Sequence, residues 1–233
     1  MRLPSVAALA CSMLLAGAIA EAAGAARPPD ISGPWIAPHA VLSLKTLAGK
    51  APPLTAAGQR LYAQNRANLK SDPMRACLPG GNPRLMNTAG YPFNVVQGSD
   101  YYAIMFQWNH RERIVFMNSE HFKNLGPGYF GQAVGHWEGA TLVVDTTGYN
   151  DRTWLDDSGL PHSKQLHTVE RIRLRDPQTL EVRMSFSDPA IYTHDWEAVL
   201  TYRKRPGVLI EEDNCVKRLG ITLESKAEQK SGG

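Results

Sequence analysis

Residues 180 to 187, LEVRMSFS, put Leu180, Val182, Met184 and Phe186 on one side of an extended chain and Glu181, Arg183, Ser185 and Ser187 on the other. Side chains alternate across a strand, so a segment written this way has one dry face and one wet face. The pattern recurs in Trp196, Ala198, Leu200 and Tyr202, and earlier in Tyr102, Ile104, Phe106 and Trp108. One-sided strands of this kind cannot stack as a buried parallel sheet. They must cover their dry faces by curling the sheet on itself. Turn residues separate the strands at Gly98-Ser99, Asn109-His110, Glu138-Gly139 and Asp176-Pro177. The spacing predicts roughly eight to ten strands in a mainly β, antiparallel, up-and-down barrel. A barrel of about eight strands leaves room for one small ligand; an aromatic dry face suits a flat or apolar guest, although aromatics on such a face are more often simple core.

The chain of 233 residues is one domain with appendages. Its start, MRLPSVAALACSMLLAGAIAEAAGAA, has a basic residue, an apolar run and small residues, the layout of a secretory signal removed near Ala20 or Ala22. The expected division is a signal peptide over 1–22, an extension over 23–90, the barrel over 91–222 and a disordered tail over 223–233. The extension holds a Gly33-Pro34-Trp35 segment and one helix within 54–70, capped by Thr55, with a thin apolar face at Ala57, Leu61 and Leu69. After export no segment is apolar enough to remain in a membrane, which places the protein in the periplasm or outside the cell. Two cysteines then remain, Cys77 and Cys215, and in an oxidising compartment an even pair reads as one disulfide. A net charge of +3 is mild, and the basic residues of RIRLRD and YRKRP are spread along strands. They read as a solvated face, with no nucleic-acid partner.

DISGPW, APPLTAAGQ, DPMRACLPGGNPR, GYFGQAVGHWEGATLVVDTTGYNDRTWLDDSGLPHS and LHTVERIRL together resemble a large family of secreted bacterial proteins. The resemblance covers nearly all of the chain after the signal. It implies a shared lipocalin-like fold, to which the Gly-x-Trp segment also points, and no particular activity. One departure is local: IVFMNSEH stands before His121 where an Asp-Gly turn is expected.

Chemistry concentrates in GLPHSKQLHTVERIRLRD, residues 159 to 176. With LHTVERIRL as a strand, Leu166, Thr168, Glu170, Ile172 and Leu174 share the more apolar face and should point inward. Glu170 would then be an acid in the barrel wall, fitted for proton transfer or paired with an arginine of the lining. The opposite register would turn His167 and Arg171 inward instead, a proton shuttle beside an anion clamp. His162 and Ser163 precede the strand at the barrel mouth, beneath Trp154, Asp156 and Asp157. That stretch reads either as a lid giving His162 an acidic partner or as a turn held by capping bonds. Asp188 closes the dry-face series as a further acid.

A metal site at His162 and His167 lacks ligand spacing, so no metal is expected. Ser163 lacks a nucleophile elbow, and no Gly-rich phosphate loop follows a strand, so no cofactor is expected. The residues suit a cofactor-independent lyase or isomerase acting on a small apolar or aromatic compound. Its catalytic groups would be His162, His167, Glu170 and Asp156, with Arg171, Trp154, His121, Tyr129 and Asp188 against the substrate. The alternatives are a non-catalytic carrier using the same pocket and a structural envelope protein whose barrel is filled by its own side chains. Oligomeric state is not legible in the sequence.

Overall fold

The computed structural model describes residues 27–88, 90–218 and 220; the predicted signal peptide and tail lie outside them. Among the described residues nine strands close into one barrel in chain order. They are β1 (Gly33–Ile36), β2 (Phe93–Gln97), β3 (Tyr101–Phe106), β4 (Arg111–Met117), β5 (Gln132–Glu138), β6 (Thr141–Thr147), β7 (His167–Asp176), β8 (Thr179–Ser187) and β9 (Trp196–Lys204). The turns fall where the sequence places them, except that Trp108 lies beyond β3, in a short 3-10 turn. The barrel is not confined to 91–222. Trp35 and Ile36 of β1 pair with Lys204 and Arg203 of β9, so the Gly-x-Trp segment supplies the closing strand.

The meander is not wholly antiparallel. β4 and β5 run parallel, paired through Val115, Phe116 and Met117 against Ala133, Val134 and Gly135. Residues 118–131 cause this by running back along the outside of the barrel before β5 begins. Asn118 starts the reversal with a left-handed φ of 52°, a conformation Asn tolerates better than most residues, in place of the expected Asp-Gly turn. Gln132 holds the returning segment, accepting from the Phe122 N–H at 3.1 Å and donating to the Leu125 carbonyl at 3.1 Å. Gly131 ends it at φ +64°, where a Cβ would lie 2.5 Å from the Thr147 carbonyl oxygen. No other residue fits that approach.

Alternation sorts the side chains as expected. Trp35, Phe93, Phe106, Met184, Phe186 and Tyr202 are each at most 1% exposed. Phe186 stacks on Trp196 at 4.2 Å, and Phe93 meets Tyr202 edge-on at 5.0 Å. These rings pack on one another inside the barrel as core, the commoner reading of a dry aromatic face, rather than as the lining for a flat guest. The outer face of β7–β9 carries ion pairs, Arg173–Glu181 at 2.7 Å and Arg183–Glu197 at 2.6 Å, the solvated face expected for the spread basic residues.

Helix α1 (Ala56–Ala67) begins at Thr55, whose hydroxyl accepts from the Gly58 N–H at 3.0 Å. Its packed face differs from the expected one: Leu61 and Leu69 are exposed. Gly58 lies against the Ile191 carbonyl, which a Cβ would reach at 2.4 Å. Tyr62 bonds Ser158 at 2.7 Å and Asn65 donates to the Gly159 carbonyl at 2.8 Å. Polar anchors thus dock this helix, so an apolar stripe was the wrong signal to seek. A second, four-residue helix, α2 (Cys215–Arg218), follows β9, and Cys77 and Cys215 are joined by a disulfide. Among the described residues no helix is long and apolar enough to cross a membrane.

Candidate functional site

The sequence-predicted residues do not converge on one place. Glu170 on β7 points into the barrel, as the first register requires, and is fully buried. It forms a two-pronged pair with Arg113 of β4, whose Nη1 donates to Oε1 at 3.1 Å and whose Nη2 contacts Oε2. Nη2 also donates to the Thr146 hydroxyl at 2.9 Å. Burial works against the Arg113 charge, but the facing Glu170 carboxylate outweighs it and holds the guanidinium protonated. Beside them the Tyr149 hydroxyl bonds Thr168 at 2.8 Å, and burial pushes the phenol up to about 12. In this internal network Glu170 pairs with an arginine of the lining, the alternative left open by the sequence, and only the Arg113 Nε lacks an acceptor among the described residues.

His162 is also buried, 4% exposed, and packs edge-on against Tyr149. Its Nε2 lies 2.6 Å from the Thr153 hydroxyl and its Nδ1 3.1 Å from the Ser163 carbonyl. A carbonyl only accepts, so Nδ1 carries the proton and Nε2 receives the Thr153 hydroxyl. Burial lowers the pKa of this ring below its ordinary value, with the Ser163 carbonyl bond opposing. Asp156 is not its acid. That carboxylate accepts from the Ser158 N–H and hydroxyl, the Leu160 N–H and the distant Leu44 N–H at 2.7–3.1 Å. Asp188 holds the Ser163 N–H at 2.6 Å and its hydroxyl at 2.8 Å. Trp154 is buried beneath Arg84, which pairs with Asp72 and Asp157. The segment is a turn held by capping bonds.

A group whose pKa is lower folded than unfolded favours folding above the unfolded value, because below it the unfolded chain takes up the proton first. His162 should therefore leave stability intact above about pH 6.5 and erode it as pH falls from there through its lower folded value. Melting curves between about pH 7.5 and 5 should show this loss, and His162→Gln should flatten it. Equal slopes in both proteins would mean the ring is not buried neutral.

The outer wall brings together what the interior does not. Asp145, on the outward face of β6, is bonded by two imidazoles, His121 Nε2 to Oδ1 and His167 Nε2 to Oδ2, each at 2.8 Å. His167 opens β7 on its outer face, and His121 arrives from the 118–131 return segment. The three side chains are 31–43% exposed. A carboxylate accepts, so each Nε2 donates, and in a neutral ring the lone pair then lies on Nδ1. Thr147 lies 3.4 Å from Nδ1 of His121. Arg171 is outward too, but it pairs with Glu138 at 2.5 Å, on the neighbouring part of the wall.

Next to this cluster the wall opens. β5 pairs with only three residues of β4, so residues 111–114 have no strand on that flank. A slot of about 390 Å³ occupies the gap. Phe116, Phe122, Tyr129 and Phe130 are among its walls, with Arg111 and Arg113. Phe122 follows His121 directly, so one return segment carries both a histidine of the cluster and a wall of the slot.

Three of these groups escaped the sequence reading although signals existed. Asp145 shares the outer face of β6 with Val143 and Thr147, a charge inside a run of apolar and hydroxyl residues. Arg111 and Arg113 fall in phase with Val115 and Met117, placing charges on a dry face, which marks a buried pair or a site. Among the described residues no group of three His, Cys, Asp or Glu is disposed to hold a metal ion. Comparison of the chain with protein-family models, curated proteins and solved structures found no match.

Proposed function

We propose that this chain is an exported acid–base catalyst, a cofactor-independent lyase or isomerase acting on a small aromatic compound. The observation that carries the reading is the Asp145 carboxylate shared by His121 and His167. A carboxylate that fixes the tautomer of a histidine makes the far nitrogen a directed base. With two such rings, one accepts a proton from a substrate carbon. The other, entering as imidazolium, delivers a proton to a different carbon in an isomerisation or to the leaving group in an elimination. Protons balance in both, and no oxidant or cofactor is consumed. The aromatic slot beside His121 supplies apolar contact for the substrate.

The signal-like N-terminus, the resemblance to secreted bacterial proteins and the disulfide support export. The meander and its Gly-x-Trp opening support a lipocalin-like reading of the barrel, with the β4–β5 seam as its departure. The same slot without turnover would make the protein a carrier; the packed interior gives no support to a carrier holding its ligand inside the barrel.

His121→Gln and His167→Gln should each lower turnover by roughly 100-fold, the usual worth of a positioned acid or base. Asp145→Asn should act in the same direction by releasing both rings. All three should melt within a few degrees of the native protein, because half-exposed polar side chains contribute little to stability. The measurement is an activity screen over aromatic metabolites, with melts and binding titrations in parallel. Turnover that survives in the double histidine variant would overturn the assignment.

A further inference from the structure

We propose that the slot between β4 and the 118–131 return segment is a binding site for an aromatic monocarboxylate, held by Arg111 and Arg113. Buried N–H groups are nearly always satisfied, and an exception asks for a missing partner. Here two exceptions sit side by side. The Nε atoms of Arg111 and Arg113 are both buried without an acceptor among the described residues, and both side chains line the slot. Arg113 is only 2% exposed, with its Nη atoms turned to Glu170 and Thr146. Arg111 makes no side-chain hydrogen bond or ion pair at all among the described residues. Residues 111 and 113 project from the same face of β4, so their guanidinium groups can address one small anion together.

Charge sets the class of anion. Glu170 already pairs with Arg113, which leaves Arg111 as the slot's cation without an ion-pair partner among the described residues. Glu112, exposed at the outer side of the slot, opposes a second negative charge. A monoanion fits this balance and a phosphate dianion does not. Shape sets the rest of the molecule. Phe116, Phe122, Tyr129 and Phe130 offer ring faces and edges, and about 390 Å³ accommodates one substituted ring with a short acidic arm. The parallel seam explains why the site exists, since continued pairing of β5 along residues 111–114 would have covered it. The proposal deepens the reading above by naming its substrate class and rests on it for turnover only; binding stands on the slot alone.

The test is calorimetric titration of the full protein with phenylacetate, phenylacetamide and inorganic phosphate. Phenylacetate should bind roughly 10- to 100-fold more tightly than the neutral amide, the range expected for a hydrogen bond to a charged group. Phosphate should bind more weakly than phenylacetate. Arg111→Gln should reduce phenylacetate affinity to that of the amide without lowering the melting temperature, and Arg111→Lys should restore it only in part. In the native protein, magnetisation transfer should connect the phenylacetate ring to Phe116, Phe122, Tyr129 or Phe130, a readout needing no variant. Equal affinity for acid and amide, no phenylacetate binding, or contacts to other rings would overturn the proposal. The double variant His121→Gln, His167→Gln should bind phenylacetate as the native protein does. Intact binding with no turnover of any aromatic acid would overturn the acid–base reading alone. Turnover without slot binding would overturn this inference alone.

Discussion

Glu170→Gln should cost about 3–5 kcal/mol of folding stability, the usual result of leaving one member of a buried ion pair alone. Arg113 would remain a cation inside the barrel, with Thr146 and an amide oxygen as its acceptors. Arg113→Met should be comparably damaging, because it strands the Glu170 carboxylate in the same place. Both losses should appear as a lower urea midpoint with an unchanged slope, since the barrel still unfolds as a unit. The double variant Arg113→Met, Glu170→Leu should be less destabilised than either single one, because no charge is left buried. If each single change costs under about 1 kcal/mol, water reaches the pair through the slot and the interior is wetter than its burial implies.

Loss of the disulfide should be of similar size. Cys77 and Cys215 lie 138 residues apart in the chain, and closing so long a loop restricts the unfolded ensemble by about 5 kcal/mol in the chain-entropy account. The bond also fastens the segment after β9 to the loop at Cys77, and hydrogen bonds tie both to the β3–β4 turn. Asn109 donates through its side chain to the Cys77 carbonyl at 3.2 Å, and its backbone N–H donates to Asp213 at 2.6 Å. His110 Nε2 lies 2.9 Å from the Glu211 carbonyl. Cys77→Ser, Cys215→Ser should therefore lower the denaturation midpoint and also speed hydrogen exchange across residues 207–218 before it affects β6–β9. Alkylation and intact mass of the native protein check the bond itself. Two free thiols, or uniform exchange in the variant, would contradict the role given to it.

What the sequence determines by itself is what depends on near neighbours. Alternation along residues 180–187 and 196–202 assigns each side chain to a face, and the faces hold throughout β8 and β9. The same rule favours Glu170 inward and His167 and Arg171 outward, because the Glu170 face is the more apolar, and the burial of β7 selects this register over the opposite one. Thr55 before an Ala-rich run marks the start of α1, since an N-cap is a local hydrogen bond. Two cysteines left after a signal-like start imply their own pairing.

Tertiary structure alone decided the rest. The return of residues 118–131 has no periodicity to betray it, yet it makes one strand pair parallel, opens the slot and carries His121 to Asp145. The sharing of one carboxylate by residues 121 and 167 depends on which strands become neighbours and in what register. That is settled by how all nine dry faces pack together. Whether the barrel holds a guest or only its own rings is likewise a sum of side-chain volumes over every strand. Alternation reports which way a residue points; only packing decides what it meets there.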